Sequence, residues 1–239
     1  MTETPKEFID RIMKGKTEEE RTVYSKTRSH FLSNLELPPD THIALFDERG
    51  DFGLSDESSK TFVVSASEIK DPDTFIAIAL RHPKNTKGYS DEDSLKFNTS
   101  NDKVRKDVVT EIAESGADIH TRTFHKDKAT DKLDGSRIHK DLLREVADDM
   151  MRSTEAQNLY VLIDSTTTLR GNAGCKVVRA SADRKQKTII NCEQILGKTE
   201  PILQTHDFVV GGIGHNEENG DDTYVKQLNN NIKSWVKKL

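Results

Sequence analysis

Leu159-Tyr160-Val161-Leu162-Ile163-Asp164 is an unbroken apolar run closed by an acid, the pattern of a strand buried on both faces in the middle of a sheet. Ile43-Ala44-Leu45-Phe46 has the same form and also runs into acid, as Asp47-Glu48-Arg49-Gly50-Asp51. Thr61 to Ala66 reads as a second strand, and the short connection makes an antiparallel partner to the first the economical arrangement. Between these and the later run, the spacing predicts helices over Ile69 to Leu80, from Asp102 to Gly116 with Val104, Val108 and Ile112 on one face, and over Ser136 to Arg152. The last of these carries Ile138, Leu142, Val146 and Met150 as a stripe. It lies between a strand over Ala117 to Thr123 and the run ending at Asp164, and strand, helix, strand at that spacing implies a parallel pair. Thr188 to Cys192 is expected as a last short strand and Ile202 to Ile213 as a helix. The alternation gives an α/β fold.

The chain's 239 residues suit one main core. Apolar residues make up 33% and charged residues 32%, so the polar excess belongs on surface helices and loops. Residues 1 to about 36 read as helical, with Phe8, Ile9, Ile12 and Met13 on one face and Thr17 and Glu20 as a capping box. The expected organisation is an N-terminal helical extension over 1–40, the main domain over 41–216, and a polar tail over 217–239 with room for a closing helix. A formal charge of -5 means that a nucleic-acid partner would have to be attracted by a local basic patch or a bound cation. Cys175 and Cys192 match no paired metal motif, and neither a signal peptide nor a long apolar span is present. A reducing cytoplasm is the default expectation, with no membrane partner and a homodimer left open.

Two apolar strands that both end in aspartate say more than either alone, because α/β sheets place ligands at the ends of neighbouring parallel strands. Asp47 and Asp164 are therefore expected side by side. Asp207 lies on the last helix, sharing a face with Gln204 and Gly211, where glycine permits close approach to the sheet. Three gathered carboxylates repel one another, and a hard dication relieves that repulsion. The expected cofactor is Mg2+ or Mn2+.

Phe46-Asp47-Glu48-Arg49-Gly50-Asp51, Leu95-Lys96-Phe97, Leu162-Ile163-Asp164 and Ile202-Leu203-Gln204-Thr205-His206-Asp207-Phe208-Val209-Val210-Gly211 come in an order that resembles the domain of unknown function 3800 family. The match spans roughly residues 42 to 215. That family is placed in the ribonuclease-H-like superfamily, so the resemblance implies a mixed sheet with helices on both faces and metal-assisted phosphodiester cleavage. It assigns Asp47, Asp164 and Asp207 as catalytic and metal-binding acids and Glu48 as a companion. Arg49 stands where the family usually has serine. Ser94 stands where a glutamate commonly precedes the Leu-Lys pair, which leaves Asp93 or Glu92 to supply a carboxylate from a shifted loop.

On this reading two dications about 4 Å apart share Asp47 as bridge. Gln204 hydrogen-bonds a ligand carboxylate or water, and Lys96 contacts the scissile phosphate or is simply solvated. Basic residues from Arg170 through Lys176, Arg179, Arg184, Lys185 and Lys187 could grip a phosphate backbone, although a solvated loop is the commoner use of such a run. Gly197-Lys198-Thr199 lacks the earlier glycine of a phosphate-binding loop, and a following helix would meet Pro201. The dispersed histidines have no zinc spacing and are expected on the surface or in packing; His206, beside Asp207, could be aimed at the mouth of the site, although adjacent helical residues diverge by about 100°, which favours a flanking role. The leading expectation is a metal-dependent nuclease. Its rival is a relative of the same fold that binds nucleic acid or protein without catalysis.

Overall fold

The computed structural model describes residues 38, 40–52, 58–82, 95–126, 134–165, 169, 171–197 and 200–238, together with Glu7, Arg11 and Lys14. The expected N-terminal helical extension lies otherwise outside the described residues, as do Glu92, Asp93, Ser94 and Arg170.

Among the described residues six strands form one mixed sheet: β1 (Thr41–Arg49), β2 (Thr61–Ile69), β3 (Asp118–His125), β4 (Asn158–Asp164), β5 (Thr188–Ile195) and β6 (Ile232–Lys238). Their order across the sheet is β5-β4-β1-β2-β3-β6. β1, β2 and β3 are successive antiparallel neighbours, while β4 runs parallel to β1 and β5 parallel to β4. β1 is therefore central, which explains why Ile43 to Asp47 are all buried. Helices α1 (Pro72–Arg81), α2 (Asp102–Glu114), α3 (Gly135–Ser153), α4 (Ala173–Arg184), α5 (Pro201–Asn219) and α6 (Thr223–Leu228) cover the two faces.

Strand alternation divides the core in two. Ile43, Leu45, Tyr160 and Leu162 pack toward α1, α2, α5 and α6. Ala44, Phe46, Val161 and Ile163 pack toward α3 and α4. Local signals set the helix limits. Asn101 caps α2 by accepting from the Val104 N–H at 3.0 Å, Asp134 caps α3 from the Arg137 N–H at 3.0 Å, and α5 starts on Pro201 and stops at Gly220. Among the described residues no helix is long and apolar enough to cross a membrane.

Two expectations need correction. The strands on either side of α3 do run in the same direction, but β3 and β4 are not paired, because β1 and β2 lie between them. The sheet does not end at β5: the tail contains the short helix α6 and then β6, which pairs in parallel with β3. Its polar residues hid it, since an edge strand needs only one apolar face and Ile232, Trp235 and Val236 show little regular alternation. Cys175 of α4 and Cys192 of β5 are joined by a disulfide.

Deleting residues 231–239 exposes the edge of β3 and removes the Trp235 Nε1–H bond to Thr123 Oγ1. The shortened chain is expected to melt on the order of 5–10 °C lower than the full chain and to self-associate in gel filtration. Unchanged melting would show that β6 adds nothing to the sheet.

Candidate metal centre

The pairing of β1 with β4 sets Phe46 opposite Ile163, so the next residue on each strand, Asp47 and Asp164, leaves the sheet at the same level. Adjacent strands are about 4.8 Å apart, which brings the two carboxylates onto one face as neighbours. That face is the one covered by α5, which brings Asp207 over them.

Each acid is oriented by a backbone N–H. Asp47 Oδ1 accepts from the Glu48 N–H at 2.7 Å, and Asp164 Oδ1 accepts from the Gly197 N–H at 2.7 Å. Asp207 Oδ2 accepts from the Phe97 N–H at 2.7 Å, and one turn earlier Gln204 Oε1 accepts from the Leu95 N–H at 3.0 Å. The Leu95-Lys96-Phe97 segment is thus fastened to α5 by the two residues that the sequence placed on one helical face. Their third companion, Gly211, admits a different neighbour from the one expected. A Cβ there would meet Phe97 Cγ at 2.3 Å, so the close approach is to this ring and not to the sheet. Arg105 completes the clamp, with Nε bonded to the Phe97 carbonyl at 2.8 Å and its guanidinium 4.6 Å from the ring centroid.

Gly197, rejected as part of a phosphate-binding loop, has a role after all. A Cβ on it would fall 2.7 Å from Asp164 Oδ2, so only glycine lets this turn wrap the carboxylate. Asp164, Asp207, Gln204, Lys96, Ser165 and Gly197 all line a cleft of about 200 Å³, and Asp47, only 6% exposed, is not among its lining residues.

Burial is the largest influence on all three acids and raises their pKa values. Asp47 is pushed furthest, well above the usual carboxylate range, because Asp207, Glu48 and Asp164 add their charges to the effect of burial. In Asp207 the rise is opposed by the Phe97 N–H, Arg49 and Lys96, and in Asp164 by the Gly197 and Ser165 N–H groups and Lys96. Arg49 donates to Asn98 Oδ1 at 2.9 Å and to the Gly211 carbonyl at 3.3 Å, and pairs with Glu218 at 3.4 Å. The residue that departs from the family pattern is therefore built into the rim of the cluster. Among the described residues, no three His, Cys, Asp or Glu side chains stand close enough together to hold a metal ion.

Other expected site residues are placed elsewhere. Glu48 follows Asp47 on the strand and so faces α3, where its Oε2 lies 3.9 Å from His139 Nε2. His206 does not reach the mouth of the site. It is fully buried, with Nε2 3.3 Å from the Ser65 carbonyl oxygen, and burial lowers its pKa to about 4. Arg184 pairs with Asp148 at 2.8 Å, Arg179 reaches the Ile189 carbonyl at 3.5 Å, and Lys185 follows the last turn of α4. Lys187 is used structurally, donating to the Thr154 and Ala156 carbonyls. Sequence reasoning missed Gly197 and Arg49 as neighbours of the acids. A glycine thirty-odd positions from its carboxylate leaves no local signal.

No family model matches the chain, and no curated protein matches it in sequence. Among solved structures, a chain of the PCNA:RNase HII complex from Archaeoglobus fulgidus is similar, with 13% identity over 79% of this chain and 76% of that one and a TM-score of 0.46. The family resemblance therefore stands on the motifs and their order.

The acid cluster has a thermodynamic signature. A carboxylate whose folded pKa is raised contributes stability that is full below its unfolded value near 4 and is lost as pH rises through the folded value. Without divalent metal, Asp47→Asn is therefore expected to melt at a higher temperature than the native chain at pH 7, and to match it near pH 3.5. Melting curves across that range in EDTA test this, and a neutral-pH Tm below native would show that Asp47 is stabilising as an anion.

Proposed function

We propose that the protein is a divalent-metal-dependent nuclease that hydrolyses phosphodiester bonds of DNA or RNA. The observation that supports this best is the pairing of Asp47 and Asp164 at the ends of adjacent parallel strands, with Asp207 brought over them and each acid oriented by a backbone N–H. A fold of this kind gains nothing in stability from three buried like charges, so their use lies in what they bind. The order of the motifs, which resembles the domain of unknown function 3800 family, and a mixed sheet with helices on both faces agree with a ribonuclease-H-like enzyme.

The donor set fits Mg2+ or Mn2+ in kind: all three acids offer hard oxygen ligands, and their raised pKa values mark a charge that a dication would relieve. Asp47, Asp164 and Asp207 would hold the metal, which supplies Lewis-acid stabilisation and an activated water when bound. The chain's own groups do the remainder. Gln204, fixed through its Oε1, is placed to donate from its amide nitrogen to a carboxylate or water. Lys96 brings a cation into the cleft beside Asp164 and Asp207, where it pairs with a phosphate oxygen of the substrate. The Gly197 turn and the Phe97 segment keep the acids from swinging apart.

Two observations favour the rival, a binding module without catalysis. Lys96 and Arg49 already offset part of the acidic charge, and no three candidate ligands among the described residues are close enough for one ion.

Cleavage of labelled DNA, RNA and hybrid oligonucleotides separates the two. Native chain with Mg2+ or Mn2+ is expected to give products, and Asp47→Asn and Asp207→Asn each to lose more than about 100-fold. Gln204→Ala and Lys96→Ala are expected to lose about 10–100-fold. Well-folded native protein that gives no products with either metal on any substrate would establish the binding module.

A further inference from the structure

The face of the sheet opposite the carboxylates carries a second charged feature, between α3 and α4. Both helices connect strands that run in the same direction, lie on the same face and pack against each other. Between them runs an open groove of about 670 Å³. Arg137, Lys140 and Arg144 of α3 and Lys176 and Arg184 of α4 line it, against the acids Asp134 and Asp141. Five cations facing two acids is a local reversal of sign in a chain whose formal charge is -5.

The spacing makes two stripes. Arg137, Lys140 and Arg144 stand at i, i+3 and i+7 on one helical face, and Lys176 and Arg184 at i and i+8 on the other helix, so each stripe extends about 10 Å along its axis. Arg144 is engaged by Asp141 at 2.9 Å and Arg184 by Asp148 at 2.8 Å. Lys140 and Lys176 are exposed and make no ion pair among the described residues. The remaining lining is small: Ser136, Val177 and Ala180 offer no pocket for the aromatic or aliphatic anchor that a peptide partner would use. Paired rows of cations without an apolar anchor suit a ligand whose charge is repeated along a backbone.

The groove also starts at the same end of the sheet as the cleft. The first turn of α3 is packed against Phe52, just beyond β1, at Gly135, and Gly174 in the first turn of α4 bonds Gln194 Oε1 at 2.9 Å, one residue before the end of β5. The cleft and the groove are thus on opposite faces but share the ends of β4 and β5.

We propose that the α3–α4 groove binds the phosphate backbone of nucleic acid as a contact separate from the carboxylate cleft, holding the strand that continues past the reacting phosphate. This rests on the reading of the protein as a nucleic-acid enzyme. It differs from the expectation drawn from the basic run alone, since three of the five cations come from α3 and Arg179, Lys185 and Lys187 are outside the lining.

Anisotropy of a labelled DNA duplex and a labelled RNA, titrated with full-length chain in EDTA over a series of salt concentrations, tests it. Lys140→Gln/Lys176→Gln is compared with a charge-matched control on other helices, Lys103→Gln/Lys226→Gln. The groove variant is expected to bind about tenfold more weakly at low salt, with the slope of log affinity against log salt reduced by about 2, while the control stays native. Equal losses in both variants, an unchanged slope, or no binding by native chain would overturn the proposal. Displacement of the nucleic acid by equimolar polyglutamate would also overturn it, in favour of an acidic protein partner. Failure of the catalytic reading is distinguishable: native chain that cleaves nothing but binds through Lys140 and Lys176 keeps the groove, and cleavage by a groove variant with native affinity removes it.

Discussion

Parallel hydrogen bonding between β1 and β4, with Phe46 opposite Ile163, leaves the chain no freedom over where Asp47 and Asp164 end up. A slip of one residue would move one of the acids to the far face and carry Leu45 or Leu162 out of its core, so the register is enforced by burial on both faces of both strands. The positions of the other groups follow from this pair. α5 packs across the same face and delivers Asp207 and Gln204, and those two side chains in turn fasten the Leu95–Phe97 segment through its N–H groups. The Gly197 turn closes over Asp164 from the end of β5.

Placing carboxylates in such a position opposes folding, and the molecule answers in two ways. Backbone N–H groups take one oxygen of each acid, which stabilises the anion without adding a mobile side chain. Lys96 and Arg49 supply positive charge at the rim. Asp47, deepest of the three, has the N–H of its own neighbour but no cation among its principal influences, which is why it is pushed furthest from the usual carboxylate range. Glu200 at the start of α5 shows the same physics without the cluster: burial, with Oε1 unbonded among the described residues, raises it to about 8.

The two faces of the sheet separate the charges. Acids gather beside α5, cations between α3 and α4, and the apolar layers keep them apart. Overall charge therefore says little about the local fields that a ligand would meet, because exposed charges more than about 10 Å apart are largely screened in salt.

Sequence alone determined the elements whose signals are local. The runs Ile43–Phe46 and Leu159–Ile163 had to be interior strands because nothing polar interrupts them, and the stripes of α2 and α3 and the face shared by Gln204, Asp207 and Gly211 followed from helical spacing. The two strand-end acids were legible for the same reason. The remainder depends on contacts between distant residues. These include the insertion of β1 and β2 between β3 and β4, the pairing of the polar β6 with β3, the burial of His206 under β2, and the turn of Glu48 away from Asp47. Gly197 at Asp164 and Lys140 beside Lys176 belong to this second group, since neither meeting exists until the strands and helices are packed. Periodicity records which face of an element is apolar, but not which element will cover it.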